Sequence, residues 1–186
     1  MSTLENRMHA ALLVVDVQKG VMGNSVHSED VISRIQQLVD WARAKDQQVI
    51  WVQHSSEELE MGSTVWEIVD ELKPAAEDPI IHKIYGDSFE ATNLEEVLAD
   101  AGISHLYVAG AQSDACIRST IHGAFTRGYD VSLVSDAHTT EDLSEWGAPE
   151  PDQVISHTNL YWSFQEAPGR TAEVISTDKL ISRTEH

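Results

Sequence analysis

Val108-Ala109-Gly110-Ala111-Gln112-Ser113-Asp114-Ala115-Cys116-Ile117-Arg118-Ser119-Thr120 reads as a strand, a short polar turn and the opening of a helix. Upstream, the apolar run from His105 closes on Gly110, as expected of a buried strand. Downstream, Ile117, Ile121, Ala124 and Phe125 recur at i, i+4, i+7 and i+8, one apolar helix face. Ser113 is the expected N-cap. Cys116, the chain's one cysteine, then falls in the first turn, where the helix dipole favours thiolate over thiol. Backbone N–H groups at such a turn can hold a developing oxyanion. A lone cysteine is more often a small buried hydrophobe. A strand-turn-helix joint, however, is where open α/β sheets place their sites, outside the carboxyl ends of the strands.

The rest of the chain alternates in the same way. Residues 10–17 form a continuous apolar run, as in a strand covered on both faces, interrupted near its end by Asp16. A carboxylate there needs a partner, or else caps the next loop. Residues 18–27 form a loop with two glycines. Residues 28–45 form an amphipathic helix with Val31, Ile35, Leu38, Val39 and Ala42 inward. Residues 48–53 form a second strand ending at His54. Residues 55–79 are an acidic, irregular insertion, with a helical turn or two over 65–72, that could rim a site. A short third strand, 79–83, ends at Lys83. Thr92 and Glu95 form a capping box for a helix through Ala101, stopped by Gly102. After the Cys116 helix, residues 129–135 form a fifth strand, with Asp136 and His138 just beyond it. Residues 139–152 form an acidic loop, 153–164 a helix, 171–176 a sixth strand and 177–186 a tail. The expected fold is therefore one α/β domain over residues 1–186: three layers, α/β/α, around a mostly parallel six-stranded sheet.

Composition narrows the function. The 186 residues suit one domain with a sizeable core. A formal charge of −19 excludes a nucleic acid or an anionic membrane as partner, because phosphate binding needs clustered Lys and Arg. It leaves room for neutral or cationic substrates. No apolar run is long enough to span a membrane, and the N-terminus lacks the apolar stretch of a signal peptide. A single cysteine suits a reducing, cytoplasmic setting.

In a parallel sheet all carboxyl ends lie on one edge, so Asp16, Lys83 and Cys116 can meet there. Together with their surroundings they resemble the isochorismatase-like cysteine hydrolases, which include nicotinamidases and N-carbamoylsarcosine amidohydrolases. The residues that carry the resemblance are Leu13-Val14-Val15-Asp16-Val17-Gln18, His82-Lys83 followed by Ser88-Phe89, and Gly110 to Cys116. All three occur in order and on the right elements, across nearly the whole chain. The resemblance implies an Asp16-Lys83-Cys116 triad. Asp16 would take the thiol proton, Lys83 would hold the site electropositive, and Cys116 would form an acyl-enzyme. It also implies a non-proline cis peptide at Ala111–Gln112, aiming N–H groups of Gln112 and Cys116 at the oxyanion.

Two departures refine the expectation. Nicotinamidases carry an Asp-x-His…His metal cluster after the second strand, whereas this chain has a lone His54 followed by Ser-Ser-Glu-Glu-Leu-Glu. No metal and no other cofactor is expected. Isochorismatases proper often lack the cysteine, so Cys116 points to amide, carbamoyl or lactam C–N cleavage. Vinyl-ether hydrolysis, or an idle binding protein on the same fold, is the alternative. The Cys116 turn and the Gly62-Ser63…Trp66 segment look most like the metal-free, streptothricin-hydrolase-like branch. Tyr85, Phe89, His54 and Trp66 are the expected pocket walls, with Gln112 beside the nucleophile. The partner is a small-molecule substrate, and relatives of this kind form homo-oligomers, dimers or tetramers.

Overall fold

A computed structural model describes residues 2–183. Its strands are β1 (His9–Val15), β2 (Gln48–His54), β3 (Ile80–Lys83), β4 (Ile103–Ala111), β5 (Asp130–Thr139), β6 (Glu166–Ala167) and β7 (Arg170–Ile175). Its helices are α1 (Lys19–Met22), α2 (Ser28–Ala44), α3 (Leu94–Asp100), α4 (Arg118–Arg127), α5 (Pro151–Ser163) and α6 (Thr177–Ser182). The sheet order is β3-β2-β1-β4-β5-β7-β6, parallel throughout except for the β6–β7 pair. The expected six strands are corrected to seven. β6 is two residues long and pairs antiparallel with β7, too short a stretch for any periodicity to register.

β1 runs down the middle and is buried on both faces. Ala11, Leu13 and Val15 pack into one core with Leu94 and Leu98 of α3, Ile121 and Phe125 of α4 and Trp162 of α5. Leu12 and Val14 point the other way, into a core with α2 and Leu180 of α6. That two-residue alternation on a strand with no polar face makes the three layers. All five expected inward residues of α2 are buried.

Several details differ from expectation: the short helix α1 occupies part of the expected 18–27 loop, and the helical turn expected over 65–72 gives way to turns and an isolated bridge from Ile68 to Gln18. β5 continues to Thr139, so Asp136 and His138 lie within it. The apolar run breaks at Ser135-Asp136, but the backbone keeps pairing: Val108 lies opposite Leu133 and Gly110 opposite His138, the extra β5 residues bulging between. Asp136 accepts hydrogen bonds from the amide and hydroxyl of Thr177, and α6 begins where a plain tail was expected. Residues 184–186 of that tail lie outside the described residues. The capping box at α3 is only half formed. Thr92 Oγ1 accepts from Leu94 N, but Glu95 turns away to pair with Arg7 and Tyr129.

Topology places the site. The chain winds outward in one direction through β1, β2 and β3, then returns to the other side of β1 with β4. The carboxyl edge between β1 and β4 is thus the point where strand order reverses, the usual crevice for ligands in such sheets. Gly110 lets the two strands close there. Its φ is +124°, and a Cβ would fall on the Val15 carbonyl oxygen.

Candidate active site

Asp16 follows β1, Lys83 ends β3 and Cys116 lies in the turn after β4. The turn itself is π-helical, Ser113–Ile117, and α4 proper begins only at Arg118. Ser113 is not its N-cap: Gln112 holds that position, and the Ser113 hydroxyl is committed elsewhere. The Ala111–Gln112 peptide bond is cis. Asp16 adopts a left-handed φ of +52°, uncommon outside glycine but tolerated by Asp, and its amide donates to Val52 O at 2.9 Å.

Lys83 sits two strands from β1, roughly 10 Å by ordinary strand spacing. Its long stem brings Nζ into contact with three groups of the cluster. Nζ donates to Asp16 Oδ2 at 2.7 Å, to Cys116 Sγ at 3.1 Å and to His54 Nδ1 at 3.2 Å. An ammonium has three hydrogens and no lone pair, so these contacts use all of them and fix the proton of neutral His54 on Nε2. Asp16, His54 and Cys116 offer ligand-type atoms within 4.8 Å of one another, a spacing that could suit a metal ion. Lys83 Nζ already holds the cation position among them, so this donor set does not fit a metal.

Oδ1 of Asp16 is buried and has no hydrogen-bond partner among the described residues. A buried, unpaired carboxylate oxygen is costly. It is also the open proton-acceptor position beside the thiol. The electrostatics correct the expectation of a resting thiolate. Burial, then the charge of Asp16, pushes the Cys116 thiol up to about 12, against the pull of Lys83. Burial likewise raises the Asp16 carboxyl above its ordinary range, although Lys83 opposes the rise. His54 is lowered by burial and by Lys83. The nucleophile therefore rests as the thiol.

A cavity of about 390 Å³ opens onto these groups, with Asp16, His54, Gln112 and Cys116 on its floor. Its walls come from the three segments expected to be loops. Gly20, Val21 and Asn24 come from the first, Ser56, Glu58, Leu59 and Val65 from the second, and Glu141 from the third. A larger cavity of about 560 Å³ lies at the amino edge of the sheet, beside His9 and Lys45, and holds none of the triad.

Of the four expected wall residues, only His54 lines the cavity. The other three are corrected. Trp66 anchors the insertion: its indole donates to Ser55 Oγ at 2.9 Å and its ring packs on His82. Phe89 is buried against Tyr129, and Tyr85 is half-exposed outside the cavity lining.

Two supporting networks escaped sequence reasoning. Gln18, fully buried, donates to the carbonyls of His54 and Trp66 and accepts from His54 N, tying β2 to the insertion. Ser113 Oγ lies 2.7 Å from His138 Nδ1, and His138 Nε2 lies 3.0 Å from Asn159 Oδ1. Burial holds His138 neutral. The chain locks the π turn to β5 and α5.

The isochorismatase domain family matches residues 10–177. The chain belongs to the isochorismatase family. Members of this family are hydrolases, amidohydrolases among them. This member is 32% identical over 185 residues to the uncharacterised isochorismatase family protein YrdC of Bacillus subtilis strain 168, covering 92% of this chain and 94% of that protein. It is 33% identical over 139 residues to streptothricin hydrolase of Streptomyces noursei. That match covers 72% of this chain and spans only 55% of the hydrolase's length. Among crystal structures, an isochorismatase from Pseudomonas putida KT2440 superposes with a TM-score of 0.83 at 25% identity, covering 91% of this chain and 89% of that one.

Proposed function

We propose that this isochorismatase-family protein is a cysteine hydrolase that cleaves a C–N bond, amide, carbamoyl or lactam, in a small molecule. The observation that carries it is the unpaired Asp16 Oδ1 beside a protonated Cys116 thiol, with Lys83 bonded to both residues. Sγ attacks the carbonyl carbon while its proton passes to Asp16. The carbonyl oxygen becomes the oxyanion, received by the N–H groups of Gln112 and Cys116. As the C–N bond breaks, Asp16 returns the proton to the leaving nitrogen, and a thioester remains on Cys116. Asp16 then takes a proton from water, whose oxygen attacks the thioester; as the C–S bond breaks, Asp16 returns that proton to sulfur, releasing the acid and restoring the thiol.

Throughout the first transfer, Asp16 and Cys116 together carry one negative charge, on oxygen before it and on sulfur after it. Lys83 touches both residues and balances that charge in either state. A buried site can move such a proton without creating an uncompensated charge.

The test is amine or ammonia release, with intact-mass analysis, over a panel of nicotinamide, N-carbamoyl amino acids, a lactam antibiotic and isochorismate. Native protein is compared with Cys116→Ala. Turnover of an amide with an acyl adduct on Cys116 supports the proposal. Turnover of isochorismate alone moves the assignment to vinyl-ether hydrolysis. An unreactive thiol with no turnover leaves a binding protein.

A further inference from the structure

The cavity wall carries a charge that the proton transfer does not need. Asp16 on the floor is balanced by Lys83, but Glu58 and Glu141 also line the cavity, and no Lys or Arg stands among the lining residues. The nearest lysine in sequence, Lys19, is turned away and held by Glu67 and Asp70, each at 2.8 Å. Glu141 is half-buried and sits on a segment held from two sides. Its backbone bridges to Ser25, and the preceding Thr140 donates to Asp114 of the π turn at 2.7 Å. Val21, Leu59 and Val65 add apolar lining to the same cavity, and Glu58 is exposed to solvent. The floor presents the unpaired, buried Asp16 Oδ1. The cavity lining therefore combines a nucleophile, apolar side chains and two carboxylates without a Lys or Arg among them.

We infer that the cavity selects a substrate carrying a protonated amine, set a few carbons from the bond to be cleaved, with the amine facing Glu58 and Glu141. This rests on the hydrolase reading for the bond cleaved, but the charge selectivity belongs to the cavity and is tested apart from turnover. An anionic substrate would meet two carboxylates with no counter-ion, and a neutral one would gain nothing from them.

The test uses the single cysteine as reporter. Native protein is labelled with 2-aminoethyl methanethiosulfonate, a cation, and with 2-sulfonatoethyl methanethiosulfonate, an anion. Each rate is divided by that reagent's rate with free 2-mercaptoethanol. The cation should win by about tenfold or more at low salt, the lower end of electrostatic steering, and the gap should narrow as salt is added. In Glu58→Gln/Glu141→Gln the preference should collapse. In Glu96→Gln/Asp100→Asn, which removes the same charge from the exposed side of α3, it should persist, separating the cavity from the field of the whole acidic chain. Equal normalised rates, a faster anion, equal losses in both variants, or no labelling by either reagent would each overturn the inference. Cation-selective labelling without turnover of any amide would instead count against the hydrolase reading and leave the selectivity standing. With turnover, 5-aminopentanamide should exceed hexanamide in kcat/KM.

Discussion

Lys83 Nζ and Asp16 Oδ2 meet at 2.7 Å with their side chains 0% and 2% exposed. An ion pair sealed this deeply contributes little net stability, because desolvation offsets most of the attraction, yet removing one partner strands the other. Lys83→Met should therefore cost about 3–5 kcal/mol in urea unfolding, with Asp16 left as an uncompensated charge. The double variant Asp16→Asn/Lys83→Met should recover much of that loss and remain inactive. A double variant as unstable as the single one would show that the pair matters through packing, not charge.

The pH profile follows from the order of proton transfer. Asp16 must be ionised to accept the thiol proton, and burial raises its carboxyl. kcat/KM should therefore fall as pH drops, through an apparent pKa above the ordinary Asp range. With the thiol pushed up to about 12, Cys116 does not titrate near neutrality. Its alkylation by iodoacetamide should keep rising from roughly pH 7 to 10 instead of levelling off beyond an ordinary cysteine pKa of about 8.5. A plateau already reached near neutrality would mean a resting thiolate.

Much of this arrangement is legible in the sequence, for a specific reason. Asp16, Lys83 and Cys116 each stand at or just past the end of an apolar run, and a parallel sheet gathers such ends on one edge. The walls were not legible, because they depend on loop conformation. Glu58 and Glu141 look like any solvated acid until the backbone aims them. Trp66 and Phe89 failed as wall residues because an aromatic ring packs as readily into a core as around a ligand. The resting thiol is not legible either, because the burial and the Asp16 charge that raise it come from the packed site and not from the local helix pattern.

Gly110→Ala tests the closeness of β1 and β4. A Cβ meets the Val15 carbonyl, and alanine resists a φ of +124°. We expect a loss of about 3 kcal/mol or more, or no soluble protein, where most surface substitutions stay within about 0.5 kcal/mol. Thermal unfolding measures it, and a near-wild-type Tm would mean that the strands separate easily.

The Ser113-His138-Asn159 chain gives an ordering. His138→Phe orphans buried groups on both sides and should cost about 2–4 kcal/mol; Ser113→Ala removes one end and should cost about 1–2 kcal/mol. Chemical denaturation decides the order, and equal costs would show that the chain does not act as a connected network.

Gln18 holds His54 and Trp66 by their backbones, so the join between sheet and insertion is indifferent to the side chains the insertion displays. Descendants of this chain can thus exchange Glu58, Leu59 and Val65 while inheriting the strand-end trio unaltered. Divergence in what is recognised and conservation of how it is broken become separate lineages of change within one polypeptide.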